Sequence, residues 1–386
     1  MDNPAVRNEV KDIMRFWLDM GVDGFREDVI TFISKKEGLP NGIPLPFATG
    51  IEHYKFGPHL LEYLTEFNDE VLSKYDCMTV GEAPMMTPDL ALKFIDEREG
   101  KNQTLKMMFN FQHMEADCMF TSFIVKKFSL RKLKAAMSSW QNKLYGKGWN
   151  ALYLENHDQP RVISRYGSEK YRERSGKMLA TMYICQSGTP FIYQGQEIGM
   201  TNIRLPELSM YKDVATYKSY DICKKLGFSH ENIMKRCMHA SRDNARTPVQ
   251  WTSGKNAGFT TAEEPWFYIN PNYTEVNVED SEKDPDSLLN YYRKLLKFRK
   301  ENEIVIYGKY KEHYRDSEKL FVYERSYEGK RMLVICSFSD TIERFKAPKG
   351  FDLAKGRVVL ANYDYANPGF DSFNLKPYEA KVFMFD

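Results

Sequence analysis

Gly24-Phe25-Arg26-Glu27-Asp28-Val29-Ile30, Met78-Thr79-Val80-Gly81-Glu82-Ala83 and Leu152-Tyr153-Leu154-Glu155-Asn156-His157-Asp158 each end an apolar run in a carboxylate. Each reads as a short buried strand that carries Asp28, Glu82 or Asp158 at its C-terminal tip. Strands offering acids to a common rim are how an alternating strand–helix barrel assembles a site, and grouped acids suit the cleavage of glycosidic bonds.

Working outward, the intervals between these strands read as helices. Residues 4–20 predict an amphipathic helix, with Asn3 as N-cap, Pro4 in the first position and Gly21 as the stop. Val6, Val10, Ile13, Trp17 and Met20 recur along it at three- and four-residue steps. Helices over 59–75, 88–97, 129–143 and 170–186 lead to strands at 78–82, 106–111, 150–155 and 190–194. Short strands that are apolar on both faces and separated by helices imply a parallel sheet covered on both sides. Five such strands are legible where a (β/α)8 barrel has eight, so the expected fold is α/β, an incomplete TIM barrel over residues 1–302. Residues 200–285 read as a long polar excursion that shapes a binding site, and a helix over 286–299 closes the α/β part. From 303 to 386 no helical period remains. Leu320-Phe-Val-Tyr, Met332-Leu-Val-Ile, Val358-Val-Leu and Val382-Phe-Met-Phe, with a turn at Tyr327-Glu-Gly-Lys, predict an all-β antiparallel sandwich.

The bulk composition narrows the function classes. The 386 residues are 42% hydrophobic and 14% aromatic, enough for a substantial core. Lys and Arg (55) nearly cancel Asp and Glu (53), and no basic block stands out, so nucleic acid is not an expected partner. Cys77, Cys118, Cys185, Cys223, Cys237 and Cys336 are scattered, without metal-ligand spacing, and reduced thiols fit a cytoplasmic setting. No apolar run reaches the ~20 residues of a membrane span, and Met1 leads straight into a capped helix with no signal peptide.

Side chains alternate along the first strand, so Gly24, Arg26 and Asp28 share one face and Phe25, Glu27 and Val29 the other. A guanidinium two residues before an acid holds that acid ionised, as a nucleophile must be. On that pair alone, a structural Arg–Asp bridge at a strand end is the commoner reading. Glu82, at an apolar tip with no neighbouring cation in sequence, is expected to have its pKa raised by burial, which suits a general acid. Taken alone, it reads as a capping or solvent-facing acid. The Glu155-Asn156-His157-Asp158 cluster is hard to explain as packing, because each polar group needs a partner. A metal site is the rival there, with no second His nearby in sequence to support it. Together the acids fit retaining glycoside hydrolysis, in which nucleophile and acid stand about 5–5.5 Å apart.

These stretches resemble the second, third and fourth signature regions of the α-amylase family of glycoside hydrolases. Phe109-Asn-Phe-Gln-His-Met-Glu-Ala-Asp, Gly188-Thr-Pro-Phe-Ile-Tyr-Gln-Gly-Gln-Glu-Ile-Gly-Met, Ser241-Arg-Asp-Asn-Ala-Arg-Thr-Pro-Val-Gln-Trp and Leu375-Lys-Pro-Tyr-Glu-Ala are similar to its oligo-1,6-glucosidase branch. The resemblance implies Asp28 as nucleophile, Glu82 as acid/base and Asp158 as transition-state stabiliser. It also implies that Arg26, His157, Arg161 and Arg242 contact the sugar, and that Val29 marks a preference for α-1,6 over α-1,4 links. Read this way, the chain resembles the family from just before its fourth barrel strand onward. The family's first signature region, first three strands, inserted domain and calcium-binding loop have no counterpart, and Glu27 stands where many relatives carry Met. The expectation is a truncated α-glucosidase that is poorly stable or inactive alone, needs no cofactor or metal, and acts as a monomer on short oligosaccharides.

Within enzymes, the rival readings are sucrose isomerisation or transglycosylation, with the glucosyl on Asp28 intercepted by a sugar, and trehalose-6-phosphate hydrolysis. Sucrose isomerases carry an Arg-rich segment where Gln112-His-Met-Glu-Ala-Asp stands here, which favours hydrolysis. The reading from another class is a non-catalytic amylase-like subunit. The three retained acids and the lack of a membrane anchor count against it.

Overall fold

The computed structural model describes residues 1–45, 48–101, 103–119 and 121–386. They form two compact units: Met1–His113 with Ser139–Ala151, and Met114–Ser138 with Leu152–Asp386.

In the first unit the opening helix spans Pro4–Asp19, and the Asn3 side chain accepts from the Ala5 amide at 2.9 Å. Its orientation differs from the one its apolar period suggests. Val6, Ile13, Trp17 and Met20 are exposed, whereas Lys11 and Leu18 are buried. Arg7 donates to Glu66, and Lys11 to both Glu66 and Glu70, each at 2.7 Å. These ion pairs, on the helix Leu60–Glu70, decide which face turns inward. The strand Gly24–Glu27 pairs in parallel with Met78–Glu82, which pairs in parallel with Met107–Phe109. Gly24 is required there: its φ is +145°, and a Cβ would fall 1.8 Å from the Met78 carbonyl oxygen. Ile30, Leu64, Phe67, Ala83, Phe94, Met108 and Trp140 form the core of this unit.

The second unit is built on the helix Arg172–Ile184, buried from Ser175 to its end, and on Leu288–Glu301. The expected strand at 150–155 shrinks to Ala151–Leu152, whose first residue belongs to the first unit, and that at 190–194 shrinks to Thr189–Pro190. Pro190 has no amide to donate, and the chain after Leu154 turns to polar groups that bond side chains instead of a ladder. The polar stretch from 200 to 285 contains three unexpected α-helices, Val214–Lys225, His230–Ala240 and the short Val278–Lys283, capped by Asp213, Ser229 and Asn277. Ile233, Met234 and Cys237 of the second pack with Phe123, Leu205 and Tyr211.

The expected antiparallel β-region is present. Arg357–Ala361, Ala380–Phe385, Lys330–Ser337, Leu320–Tyr327 and Lys309–His313 lie in that order in one five-stranded sheet. Glu328 (φ +47°) and Gly329 (φ +81°) make the tight hairpin between two of them. Alternation along Leu320–Tyr327 sends Phe321 and Tyr323 into the helical core and Leu320 and Val322 against Phe345 and Leu375 of a separate two-stranded sheet, Glu343–Lys346 with Ser372–Leu375. The anticipated boundary at 302/303 falls inside this second unit. Among the described residues no helix is long and apolar enough to cross a membrane.

Glu27 carries a cost. Its Oε2 is buried without a hydrogen-bond partner, and burial pushes its carboxyl up to about 7. A folded-state pKa above the unfolded value of 4.5 means that the native state holds a proton the unfolded state has released, so stability falls as pH rises from there to beyond 7. Glu27→Gln is expected to be more stable than the parent at pH 8, by up to about 3 kcal/mol, and to flatten this decline. Urea unfolding at several pH values checks it, and a parent whose stability does not fall across the window refutes it.

Candidate active site

Parallel pairing sets Glu27 opposite Gly81, so the residues that follow, Asp28 and Glu82, leave neighbouring strands side by side. Arg26 joins them. Its Nη1 bonds the Asp28 carboxylate, and its Nη2 donates to Glu82 Oε2 at 2.6 Å. Glu82 is buried, whereas the Asp28 side chain is 72% exposed. The chain then turns at Val29, whose φ of +43° places a β-branched residue in the left-handed region, a strained conformation. That turn aims the Val29 amide at Glu82 Oε2, 3.2 Å away.

Burial raises the Glu82 carboxyl above its ordinary range. Arg26 and the Val29 amide oppose the shift, and the Asp28 carboxyl, within hydrogen-bonding reach, adds to it. The cation absent from Glu82's own sequence neighbourhood is therefore supplied by Arg26, from the next strand. The direction of the shift is still upward, because desolvation outweighs one guanidinium shared between two acids. An exposed carboxylate against a cation, beside a buried carboxyl whose pKa burial raises, is a nucleophile and acid pair in form.

The second unit holds the other expected residues. Asn156 Oδ1 accepts from the Asp158 amide at 2.8 Å, a local turn that fixes the Asp158 backbone. Asp158 Oδ1 receives Arg242 Nη1 at 3.2 Å and also Arg246 Nη2. Arg246 Nε donates to the His157 carbonyl at 2.9 Å, and the His157 ring, half exposed, stands 3.6 Å from Asp158. Arg242 forks onto Asp213, Nε to Oδ2 at 2.8 Å and Nη2 to Oδ1 at 2.7 Å. Burial presses the Asp213 carboxyl upward, but these bonds and the Ala215 amide hold it below its ordinary range.

Arg161 is placed differently from the expected sugar contact. It is fully buried, with Nη1 bonded to Glu155 Oε1 at 2.9 Å and to the Gln194 carbonyl at 2.7 Å, and the guanidinium lies over the Tyr193 ring. Glu155 is enclosed too and accepts from the Val162 amide at 2.6 Å. This pair organises the chain beneath the polar cluster, and a guanidinium with no exposed surface has none to offer a ligand. Thus Arg26, Asp28, Val29 and Glu82 gather in the first unit, and His157, Asp158 and Arg242 in the second. The sequence marks Glu155 only as a member of the polar cluster, and gives Asp213 and Arg246 no role of their own. Arg246 lies in the quoted Ser241–Trp251 stretch, and Asp213 was hidden as the cap of an unforeseen helix. Among the described residues no group of three or more His, Cys, Asp or Glu could hold a metal ion.

The family described as "Alpha amylase, catalytic domain" matches residues 1–308. The oligo-1,6-glucosidase of Halalkalibacterium halodurans is 43% identical over 389 residues, covering 99% of this chain and 69% of that protein. The trehalose-6-phosphate hydrolase of Bacillus subtilis is 40% identical, covering 99% and 68%. Among solved structures, the trehalose-6-phosphate hydrolase of Bacillus licheniformis superposes with a TM-score of 0.91 at 40% identity, covering 99% of this chain and 69% of that one. The isomaltulose synthase of Protaminobacter rubrum superposes with 0.93 at 34%, covering 100% and 69%.

Because Arg26 lowers the Glu82 pKa, Arg26→Gln is expected to move the Glu82 titration midpoint further upward. NMR of 13C-glutamate-labelled protein, with the resonance assigned by Glu82→Gln, reads the shift. An unmoved or lowered midpoint contradicts the bridging role of Arg26.

Proposed function

This chain belongs to the alpha-amylase family of glycoside hydrolases, and from that premise we propose that it is a retaining α-glucosidase acting on α-1,6 links of short oligosaccharides. The observation that carries the reading is the Arg26 bridge between an exposed Asp28 and a buried Glu82 whose carboxyl is raised. In the proposed first step the Asp28 carboxylate attacks the anomeric carbon while the Glu82 carboxyl gives its proton to the glycosidic oxygen. The leaving sugar departs and a glucosyl ester remains on Asp28. In the second, Glu82 as carboxylate takes a proton from water as the water oxygen attacks the anomeric carbon. Glucose is released with its α configuration, and both acids return to their starting states. Asp158 is assigned the stabilisation of the positively charged sugar, and Arg26, His157 and Arg242 the holding of its hydroxyls. The steps use protein carboxyl groups and water and call for no cofactor.

Val29 and the oligo-1,6-glucosidase relatives support the α-1,6 preference. The trehalose-6-phosphate hydrolase at 40% identity keeps that phosphorylated disaccharide as the second reading. Incubation with isomaltose, isomaltotriose, maltose, sucrose and trehalose 6-phosphate, followed by proton NMR of the anomer first released, separates these readings. The expected result is α-glucose from isomaltose in preference to the others. β-Glucose as first product would refute retention, and turnover of trehalose 6-phosphate alone would replace the substrate. Glu82→Gln is expected to lower kcat by about 10²–10⁴-fold on substrates with poor leaving groups. Asp28→Asn should lower it at least as much, and full activity in Asp28→Asn would remove the nucleophile assignment.

A further inference from the structure

Asp158, Arg242, Asp213 and Arg246 form a closed group of alternating charge. Asp158 Oδ1 meets both guanidiniums. Arg242 forks onto Asp213 at 2.7 and 2.8 Å, and Asp213 Oδ1 lies 4.0 Å from Arg246 Nη1. Two cations balance two anions. Without Asp213, a single carboxylate would face two guanidiniums and its field would be cancelled where a cationic sugar needs it. Asp213 is also held so that it cannot take Asp158's place. Its side chain is 4% exposed and its Oδ1 caps the helix Val214–Lys225 through the Ala215 amide at 3.1 Å. Its own amide and that of Lys212 donate at 3.1 Å to the carboxylate of buried Asp243, which Ser241 Oγ also bonds at 3.0 Å.

We infer that Asp213 is a positioning residue that neutralises and orients Arg242 and Arg246, leaving the negative charge of Asp158 available to a positively charged sugar. The inference rests on Asp158 being the carboxylate that faces that charge. It gives Asp213 a role that acts only through charge development, since the residue is buried behind Arg242 and would touch no sugar atom.

A cationic iminosugar, 1-deoxynojirimycin, and neutral glucose distinguish this role from scaffolding when both are titrated calorimetrically into the full chain. Asp213→Asn keeps the side-chain shape and the capping oxygen but removes the charge. It is expected to weaken iminosugar binding about tenfold or more while leaving glucose within about twofold. On turnover it should lower kcat with little change in KM, and Asp213→Glu should recover part of the loss. Parallel weakening of both ligands would show a structural role and overturn the inference, as would no change in either. Thermal unfolding of each variant checks that the fold persists, and a collapsed Asp213→Asn leaves Asp213→Ser, which keeps a capping oxygen but no charge, to decide by the same ratio of affinities. If Asp158→Asn itself leaves the ratio unchanged, the assignment of Asp158 fails. If Asp158→Asn abolishes it and Asp213→Asn does not alter it, only the role of Asp213 fails. A parent chain that binds neither ligand overturns both.

Discussion

One guanidinium serving two carboxyls is the constraint on which the first unit's chemistry depends. Arg26 can reach Asp28 and Glu82 together only because Gly24–Glu27 and Met78–Glu82 run parallel and in register, so that consecutive strand tips present their acids at the same height. The close approach at Gly24 and the left-handed turn at Val29 are local consequences. The first lets the strands meet, and the second swings an amide onto Glu82. The bridge also separates the two acids in character. Both feel the same cation, but only Glu82 is withdrawn from water, and desolvation outweighs half a guanidinium.

The second unit handles its acids by a different rule. Glu155 is sealed with Arg161 and the Val162 amide, a buried pair whose worth lies in fixing the backbone that follows it. Asp158, three residues later, remains partly open and is met by two arginines that also face the carboxylate of Asp213. The same residue types thus serve as foundation in one case and as an available charge in the other. Solvent access is what distinguishes them.

Several features were legible before any coordinates. The strand tips at Asp28 and Glu82, the capped helix from Pro4, the antiparallel region after 303 and the turn at Glu328-Gly329 all follow from short-range rules of periodicity, capping and φ preference. Other features were not. The stripe Val6, Ile13, Trp17 and Met20 has a helical period but faces outward, because Arg7 and Lys11 find Glu66 and Glu70 some 55 to 59 residues away. The helices Val214–Lys225 and His230–Ala240 escaped notice because their charged faces dilute the apolar period, and with them went Asp213 as a cap. The motif implies a sugar contact for Arg161, whereas the structure buries its side chain against Glu155.

By itself the sequence determined which carboxylates end apolar strands, which family these stretches resemble and where helical character gives way to strands. Backbone geometry and hydrophobic period act over a few residues, so these are written locally. Tertiary structure alone decided which cation each acid meets, which arginine is sealed and which lies open, and which carboxyl burial pushes upward. Those outcomes depend on desolvation and on charges brought together from distant positions in the chain, and neither exists until the chain has folded.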